Sequence, residues 1–219
     1  MVAEALEATN YELRIEFHKH LKRLFDILVS ILVLLVFLPV GLVISVWIAF
    51  ESRGGVFYRQ ERIGKDGVPF KMLKFRSMKK HADLEGTLTV GMRDPRITRS
   101  GFFIRKYKLD EFPQFINVLR GDMSIVGPRP EVQEYVNLYS LEQRRILSVR
   151  PGITDYASLE FFHENELLGN SDDPQKTYVE EIMPVKIALN MRCIEHPGLA
   201  QDIKIMWRTF MKMLPSVKH

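Results

Sequence analysis

A run of 24 residues without a charged side chain, residues 27–50, constrains the fold of this 219-residue chain more than any other feature. As one helix the run would be about 36 Å long, enough to cross a hydrocarbon core of about 30 Å. A domain of this size is too small to surround a helix that is apolar on every side. A signal peptide fits poorly, because the run begins late and no small-residue cleavage site follows it. The run therefore predicts a membrane helix.

Pro39, near the middle of the run, argues against a simple span. Proline removes a backbone hydrogen bond and clashes with the preceding turn, so the run is expected to divide into 27–38 and 40–50. Both flanks are basic, and the positive-inside tendency places both in the cytoplasm. A helix that breaks at Pro39, dips into the membrane and returns satisfies both observations. A kinked spanning helix is the alternative.

The composition excludes several classes of site. A single cysteine, Cys193, rules out an intramolecular disulfide framework and a multi-cysteine metal site. The six histidines show no i, i+4 pairing, so a histidine metal site is not expected. A formal net charge of +4 indicates an anionic partner, and the chain has no recognisable nucleic-acid-binding motif.

The remaining sequence predicts a small mixed domain. Strands are predicted at 56–60 and 69–76 around a Lys-Asp-Gly turn, which gives a β-hairpin with a basic face. Helices are predicted from near Asp110 to Leu119, over 131–148, and over 182–214 with a break near Pro197. The last helix carries an apolar stripe typical either of a membrane interface or of a helix that faces the core or a partner. The stripe consists of Ile203, Met206, Trp207, Phe210, Met211 and Leu214.

The strongest candidate for chemistry is the adjacent carboxylate pair Asp110-Glu111. Six basic residues and one acidic residue occupy 93–108, directly before it. Asp110 is expected to cap the helix that begins there, and the surrounding cations favour its ionised form. An ionised aspartate with a divalent cation beside phosphates is the setting of phosphoryl chemistry. Acidic pairs also occur elsewhere in the chain, so the significance of this one rests on its surroundings.

Eight ordered motifs within residues 19–157 resemble those of the bacterial sugar transferase family, the monotopic phosphoglycosyl transferases, in their small single-domain form. In chain order they are Lys22-Arg23-Leu24-Phe25-Asp26, Arg59-Gln60-Glu61-Arg62-Ile63-Gly64, Lys74-Phe75-Arg76-Ser77-Met78, Asp94-Pro95-Arg96-Ile97-Thr98, Leu109-Asp110-Glu111-Phe112-Pro113-Gln114, Gly121-Asp122-Met123-Ser124, Val126-Gly127-Pro128-Arg129-Pro130 and Arg150-Pro151-Gly152-Ile153-Thr154.

This resemblance implies an α+β fold in three parts. Residues 1–21 would form an N-terminal arm, residues 22–51 a re-entrant membrane helix broken at Pro39, and residues 52–219 a compact cytoplasmic catalytic domain. That domain would contain helices, a β-hairpin and interfacial amphipathic helices, including the C-terminal one. The protein would be monotopic in the bacterial inner membrane, with its catalytic domain on the cytoplasmic face. A homodimer is left open, and nucleic acid is not expected as a partner.

The resemblance also implies a reaction. A sugar-1-phosphate would pass from a UDP-sugar to polyprenyl (undecaprenyl) phosphate in the membrane, with release of UMP, as the first membrane step of a bacterial surface glycan pathway. The mechanism would be ping-pong through a phospho-aspartyl intermediate. Asp110 would be both the nucleophile and a Mg²⁺ ligand, and Glu111 its catalytic partner.

The other motif residues would bind substrate. Arg105 and Arg129 would clamp phosphates, with Pro128 and Pro130 holding Arg129 rigid. Two further groups complete the set. The hairpin residues Lys74 and Arg76 would bind the donor or its phosphates, and Lys22, Arg23 and Asp26 would lie near the polyprenyl phosphate.

The chain departs from the family pattern at two places. Leu38 precedes Pro39, where the family often has serine. Asp155-Tyr156-Ala157-Ser158 replaces the Gly-Trp-Ala-Gln of many relatives, so no sugar-binding roles carry over to residues 155–185. Two other functions stay open on the residues alone: a membrane-anchored, non-catalytic anion-binding module, and a membrane phosphatase that uses the same aspartate.

Overall fold

The fold is described from a computed structural model. It describes residues 19–52, 54–80, 82, 91, 94–195 and 197–214, and the helical backbone of residues 2–18. Short helices and two small sheets pack beside one long N-terminal helix.

The α-helices are α1 (Val2–Glu51), α2 (Arg99–Lys106), α3 (Gln114–Arg120), α4 (Gln133–Val136), α5 (Tyr156–Glu160), α6 (Glu164–Gly169), α7 (Pro174–Thr177), α8 (Met183–Glu195) and α9 (Leu199–Met213). The strands are β1 (Phe57–Ile63), β2 (Pro69–Phe75), β3 (Ser124–Val126) and β4 (Gly152–Thr154). Tighter 3₁₀ turns lie at Lys65–Gly67, Leu109–Glu111 and Gln143–Ser148, and a π-helical turn at Tyr178–Ile182 precedes α8.

Helix α1 runs without interruption from Val2 to Glu51, so the break expected at Pro39 is not seen. Pro39 lies inside it, so that one backbone donor is missing while the helix continues. Among the described residues, one helix is long and apolar enough to cross a membrane, with a mean hydropathy of 3.2 in the most apolar part of Lys19–Glu51.

The first part of the apolar helix is fixed to the domain by polar contacts. Lys22 Nζ lies 2.5 Å from a carboxylate oxygen of Asp202 in α9. Arg23 donates to two carbonyl oxygens near the end of α3, at 2.6 and 3.1 Å. The buried carboxylate of Asp26 accepts a 2.8 Å hydrogen bond from the Ser124 hydroxyl. These contacts join the helix to three elements of the domain.

The last part of α1 contacts the same domain. Phe37 stacks on Phe112 with ring centroids 3.9 Å apart. Ile44 and Ile48 are buried in a cluster with residues of β2 and α2. Glu51 accepts hydrogen bonds from the first two backbone N–H groups of α2, at 2.7 and 2.8 Å. Both ends of the apolar segment therefore lie against one body.

The predicted hairpin is confirmed, with β1 and β2 antiparallel in a register that opposes Phe57 to Phe75 and Ile63 to Pro69. The second sheet was not predicted: β3 and β4 pair in parallel, with Ser124 opposite Gly152. The central core lies between the sheets, α3 and α9 and contains Met72, Val118, Met123, Ile125 and Ile205.

The parallel pair is possible because two glycines meet at its edge. A Cβ atom at Gly152 would lie within 3.0 Å of three backbone atoms of Gly127. The Gly152 N–H donates to the carbonyl of Pro128 at 2.9 Å, and the Gly127 N–H donates to Thr154 at 3.1 Å. These bonds hold the loop that follows Gly127 against β4.

The helix predicted over 131–148 is wrong, because the chain leaves the helix after α4. The Ser140 hydroxyl accepts a hydrogen bond from the Gln143 N–H, a local bond that starts a new turn and competes with helix continuation. The predicted helices over 182–214, with their break, are confirmed as α8 and α9.

The apolar stripe of α9 points mostly outward. Ile205, which lies outside the predicted stripe, is fully buried and anchors the helix to the core. Trp207 and Phe210 are 62% and 53% exposed, and Ile203, Met211 and Leu214 are exposed as well. Of the two interpretations left open by the sequence, the core-facing one is excluded for most of the stripe.

We expect Gly152→Ser to destabilise the protein by roughly 3 kcal/mol, because the new Cβ has only backbone to displace. Thermal unfolding in detergent measures the effect. Gly198→Ser is the control, since a Cβ there meets nothing within 4 Å and serine suits that N-cap position. Equal melting temperatures for the two variants would contradict the close approach of the two backbones.

Candidate active site

A cavity of about 450 Å³ opens where the hairpin, the turn at Leu109–Glu111 and the loop after β3 converge. Seven of the residues singled out in the sequence line it: Lys74, Arg76, Arg105, Asp110, Glu111, Arg129 and Pro130. The folded chain thus brings together motifs that are separated by up to 56 positions in the sequence.

The carboxylate pair lies on a tight turn rather than at the start of a helix. Lys108 adopts the left-handed conformation, with φ of 56°, and so reverses the chain between α2 and the 3₁₀ turn. The expectation that Asp110 caps a helix is wrong, because α3 begins only at Gln114 with Pro113 before it. The turn frees the Asp110 carboxylate from a capping role and leaves it 6% exposed at the cavity.

Glu111 is held by two cations. The Arg129 guanidinium grips both of its carboxylate oxygens, with Nη1 to Oε2 at 3.2 Å and Nη2 to Oε1. Lys74 Nζ lies 3.4 Å from Oε1. Burial alone would raise the pKa of Glu111, but the charges of Arg129 and Lys74 outweigh it and hold the pKa well below its usual value. Glu111 is therefore an anion whose oxygens are occupied.

Asp110 is the opposite case. Within the described residues its carboxylate accepts no hydrogen bond and forms no ion pair within 4 Å. Burial and the neighbouring negative charge of Glu111 raise its pKa, against the attraction of Lys74, Arg105 and Lys108. The pair thus separates into one carboxylate that is fixed and one that is free to react.

The cations of the site are tuned by the same burial. Loss of water lowers the pKa of Lys74 to about 8, although the charge of Glu111 opposes the shift. The charge of Glu111 raises the pKa of Arg129, which keeps that guanidinium protonated. Arg76 and Arg105 each line the cavity with one buried N–H nitrogen that has no hydrogen-bond partner among the described residues.

Asp155 supports the site and was not predicted from the sequence. Its fully buried carboxylate accepts hydrogen bonds from the backbone N–H of Arg129 at 3.2 Å and from that of Ser158 at 2.5 Å. It therefore caps α5 and ties that helix to the arginine loop. An aspartate three residues before a serine at the start of a short helix is the signal that could have found it.

Five of the singled-out residues do not line the cavity. Lys22, Arg23 and Asp26 use their side chains to fasten α1 to the domain, and their role near a lipid phosphate stays a prediction. Pro128 is buried beside the cavity wall, where its carbonyl binds β4. Pro39 lies within α1, two residues from the ring stack that Phe37 forms with Phe112.

A closed protein cage for a metal is absent from the described residues, which contain no group of three or more His, Cys, Asp or Glu side chains suited to a metal. The free carboxylate of Asp110 fits a different arrangement. Mg²⁺ is commonly held by one or two carboxylates together with substrate phosphates and water. The residues present therefore fit Mg²⁺ bound jointly with an anionic ligand.

A comparison with known proteins identifies the family of the chain. The family model described as bacterial sugar transferase matches residues 17–216. The chain is 37% identical to the UDP-glucose:undecaprenyl-phosphate glucose-1-phosphate transferase of Escherichia coli, over 88% of this chain and 40% of that protein. It is 35% identical to the UDP-N-acetylgalactosamine-undecaprenyl-phosphate N-acetylgalactosaminephosphotransferase of Aeromonas hydrophila, over 89% of this chain and 44% of that protein.

A shorter relative is covered more fully. The exopolysaccharide production protein ExoY of Rhizobium meliloti is 34% identical, over 86% of this chain and 83% of that protein. The chain thus spans less than half of the two longer relatives and most of the shorter one. With the match covering nearly its whole length, the chain belongs to the bacterial sugar transferase family.

Proposed function

We propose that the protein transfers a sugar-1-phosphate from a UDP-sugar to undecaprenyl phosphate and releases UMP. The observation that carries the proposal is the free, buried Asp110 carboxylate beside Arg105, in a cavity whose charged lining residues are mostly cations, while Glu111 is held in ion pairs. The names of the relatives support the same substrates, since they specify UDP-sugars and undecaprenyl phosphate.

In the first step, an Asp110 oxygen attacks the phosphorus next to the sugar. The P–O bond to the uridine phosphate breaks, UMP leaves with the bonding electrons, and a sugar phosphate remains on Asp110 as an acyl phosphate. Burial assists this step, because a poorly solvated carboxylate with a raised pKa is a better nucleophile. Arg105 and Arg129 neutralise charge on the phosphates.

In the second step, a phosphate oxygen of undecaprenyl phosphate attacks the same phosphorus. The bond to Asp110 breaks, the carboxylate is regenerated, and undecaprenyl-diphosphate-sugar is the product. Glu111 does not take part covalently, since both of its oxygens are engaged. It keeps Arg129 and Lys74 in place beside Asp110.

Mg²⁺, when bound, would supply charge neutralisation at the reacting phosphate. Asp110 is the residue of this chain that would hold it.

We further propose that α1 enters the cytoplasmic leaflet of the bacterial inner membrane and does not cross it. As a straight helix, the stretch from Lys22 to Glu51 would measure about 44 Å, more than the hydrocarbon core. Its two ends nevertheless bind one domain, so in a spanning arrangement one set of contacts would lie on the far side of the bilayer. The exposed apolar side chains of α1 and of α9 are suited to contact lipid.

Asp110→Asn is expected to abolish transfer, with at least a 1,000-fold loss of UMP release, because an amide oxygen is a far weaker nucleophile. A nucleotide-release assay over a panel of UDP-sugars, with undecaprenyl phosphate and Mg²⁺ in detergent, measures it. Asp172→Asn, in an exposed position, is the control and is expected to keep full activity. A fully active Asp110→Asn would remove this residue from the nucleophile role.

Arg129→Lys is expected to lower kcat/KM for the donor by about 100-fold, because lysine cannot grip both Glu111 oxygens. Steady-state UMP release measures the loss. Arg144→Lys, the same change at an exposed side chain that does not line the cavity, is the control and is expected to have no effect. Wild-type activity in Arg129→Lys would show that the bidentate pair is not needed.

Membrane topology is testable with two single-cysteine variants made in a Cys193→Ser background, Lys19→Cys and Val68→Cys. If both ends of the apolar segment lie on the cytoplasmic side, a membrane-impermeant thiol reagent should label neither position in intact spheroplasts and both after permeabilisation. Val68 is the control for the domain side, because it lies at an exposed hairpin turn. Labelling of position 19 alone in intact spheroplasts would establish a spanning helix.

A further inference from the structure

One wall of the cavity is built by residues that lie outside the motifs shared with the family. Ser158 of α5, Phe161 directly after α5, Glu164 and Asn165 of α6 and Lys186 of α8 line it. The resemblance to the family assigns no role to these residues, so their role follows only from their contacts.

Among the residues that the structure describes, four carboxylates line the cavity, and their hydrogen-bond states differ. Glu111 is saturated by Arg129 and Lys74, and Asp110 is the nucleophile of the proposed function. Glu131 is buried and saturated as well. It accepts from Tyr178 Oη at 2.5 Å and lies 3.3 Å from Lys186 Nζ and 3.4 Å from Arg62. Glu164 is the remaining carboxylate.

Glu164 is fixed on one side and open on the other. Its Oε2 accepts a hydrogen bond from Lys186 Nζ at 3.2 Å, whereas its Oε1 makes no hydrogen bond to the described part of the chain. The Lys186 side chain is 8% exposed and is itself anchored by Glu131 and by Tyr178 Oη at 3.1 Å. The Glu164 side chain is 26% exposed and lines the cavity. Glu164 therefore has one carboxylate oxygen held by Lys186 and a second one that is free to accept hydrogen bonds from a ligand in the cavity.

The charge of Glu164 limits what can bind beside it. It is near enough to Arg129 to contribute to the raised pKa of that guanidinium. A diphosphate beside Glu164 would be repelled, so an uncharged part of the donor must occupy this end. A carboxylate oxygen accepts hydrogen bonds strongly from hydroxyl groups. Ser158 adds a buried hydroxyl without a partner among the described residues, and Asn165 adds an amide.

We propose that Glu164, assisted by Ser158 and Asn165, forms a polyol subsite that binds neighbouring hydroxyl groups of the nucleotide-sugar donor. The inference rests on the proposed function and deepens it by assigning specificity to this wall. Two parts of the donor carry such hydroxyls, the transferred sugar and the ribose. Phe161 and Phe162 line the same wall and add apolar surface beside these polar groups.

The test compares Glu164→Gln with Glu166→Gln. The first keeps the shape and an oxygen for Lys186 but removes the charge. The second makes the same change two residues on, at a side chain that is 63% exposed and outside the cavity. We expect Glu164→Gln to raise the donor KM about tenfold, with kcat changed by less than about threefold, because a charge-assisted hydrogen bond is weakened. Glu166→Gln is expected to match the wild type.

Inhibition by UMP separates the two sources of hydroxyls. If Glu164 binds the sugar, the inhibition constant of UMP is unchanged and the ranking of UDP-sugars by kcat/KM is altered. If it binds the ribose, the inhibition constant rises by the same factor as the donor KM. Either result supports the subsite. A donor KM and a UMP inhibition constant that both equal those of Glu166→Gln would overturn it.

Ser158→Ala provides a second, milder variant in case Glu164→Gln fails to fold, as judged by its melting temperature. It is expected to raise the donor KM about threefold, and an unchanged value would then overturn the subsite. Failure of the proposed function gives a distinct result: the wild-type protein would release no UMP from any UDP-sugar. A wild-type protein that transfers sugar phosphate, with indifferent variants, would refute the subsite alone.

Discussion

The active site depends on the ion pair between Glu111 and Arg129. It joins the turn at Leu109–Glu111 to the loop after β3, and Lys74 connects the same carboxylate to β2. Removal of one member of a buried ion pair commonly lowers the free energy of unfolding by roughly 3–5 kcal/mol, because an uncompensated charge is left behind. Together with Lys74, the pair therefore holds the turn, the loop and β2 in place. It also occupies both oxygens of Glu111, whereas the carboxylate of the neighbouring Asp110 is unpaired.

A second constraint concerns where this site lies. The apolar helix α1 contacts the domain through Arg23 and Asp26 near one end and through Ile48 and Glu51 at the other. A reaction between a water-soluble nucleotide sugar and a lipid phosphate requires a cavity that opens at the membrane surface. In our proposal, the helix that enters the bilayer also packs against the catalytic domain. This packing keeps the cavity at the interface between the membrane and the cytoplasm.

Much of the site could be predicted from the sequence, because motif residues carry their chemistry with them. Asp110, Glu111, Arg105 and Arg129 do line one cavity. The local conformation could not be predicted in the same way. The left-handed Lys108 directs the chain into a 3₁₀ turn, so that Asp110 is not a helix cap. A helix cap and a tight turn favour the same residue types, and only the tertiary contacts of Glu111 decide between them.

The features that were missed are those that depend on contacts between distant segments. The β3–β4 pair contains only three residues per strand, too few for a recognisable alternation, and it relies on the meeting of Gly127 with Gly152. Asp155 and the wall around Glu164 come from a segment without family motifs, and their roles follow only from what they touch. The sequence did not decide which face of α9 is exposed for the same reason, because the burial of Ile205 determines which face of that helix turns outward.

The central claim is that Asp110 becomes covalently bonded to the sugar phosphate. The most direct measurement is to incubate the purified protein with a UDP-sugar that it accepts, without undecaprenyl phosphate, and to quench with hydroxylamine before peptide mass spectrometry. Hydroxylamine converts an acyl phosphate into a hydroxamate. The proposed covalent mechanism therefore predicts a hydroxamate at Asp110, with UMP released in equal amount. A protein that transfers sugar phosphate in the presence of acceptor, yet yields no hydroxamate at residue 110, would contradict it.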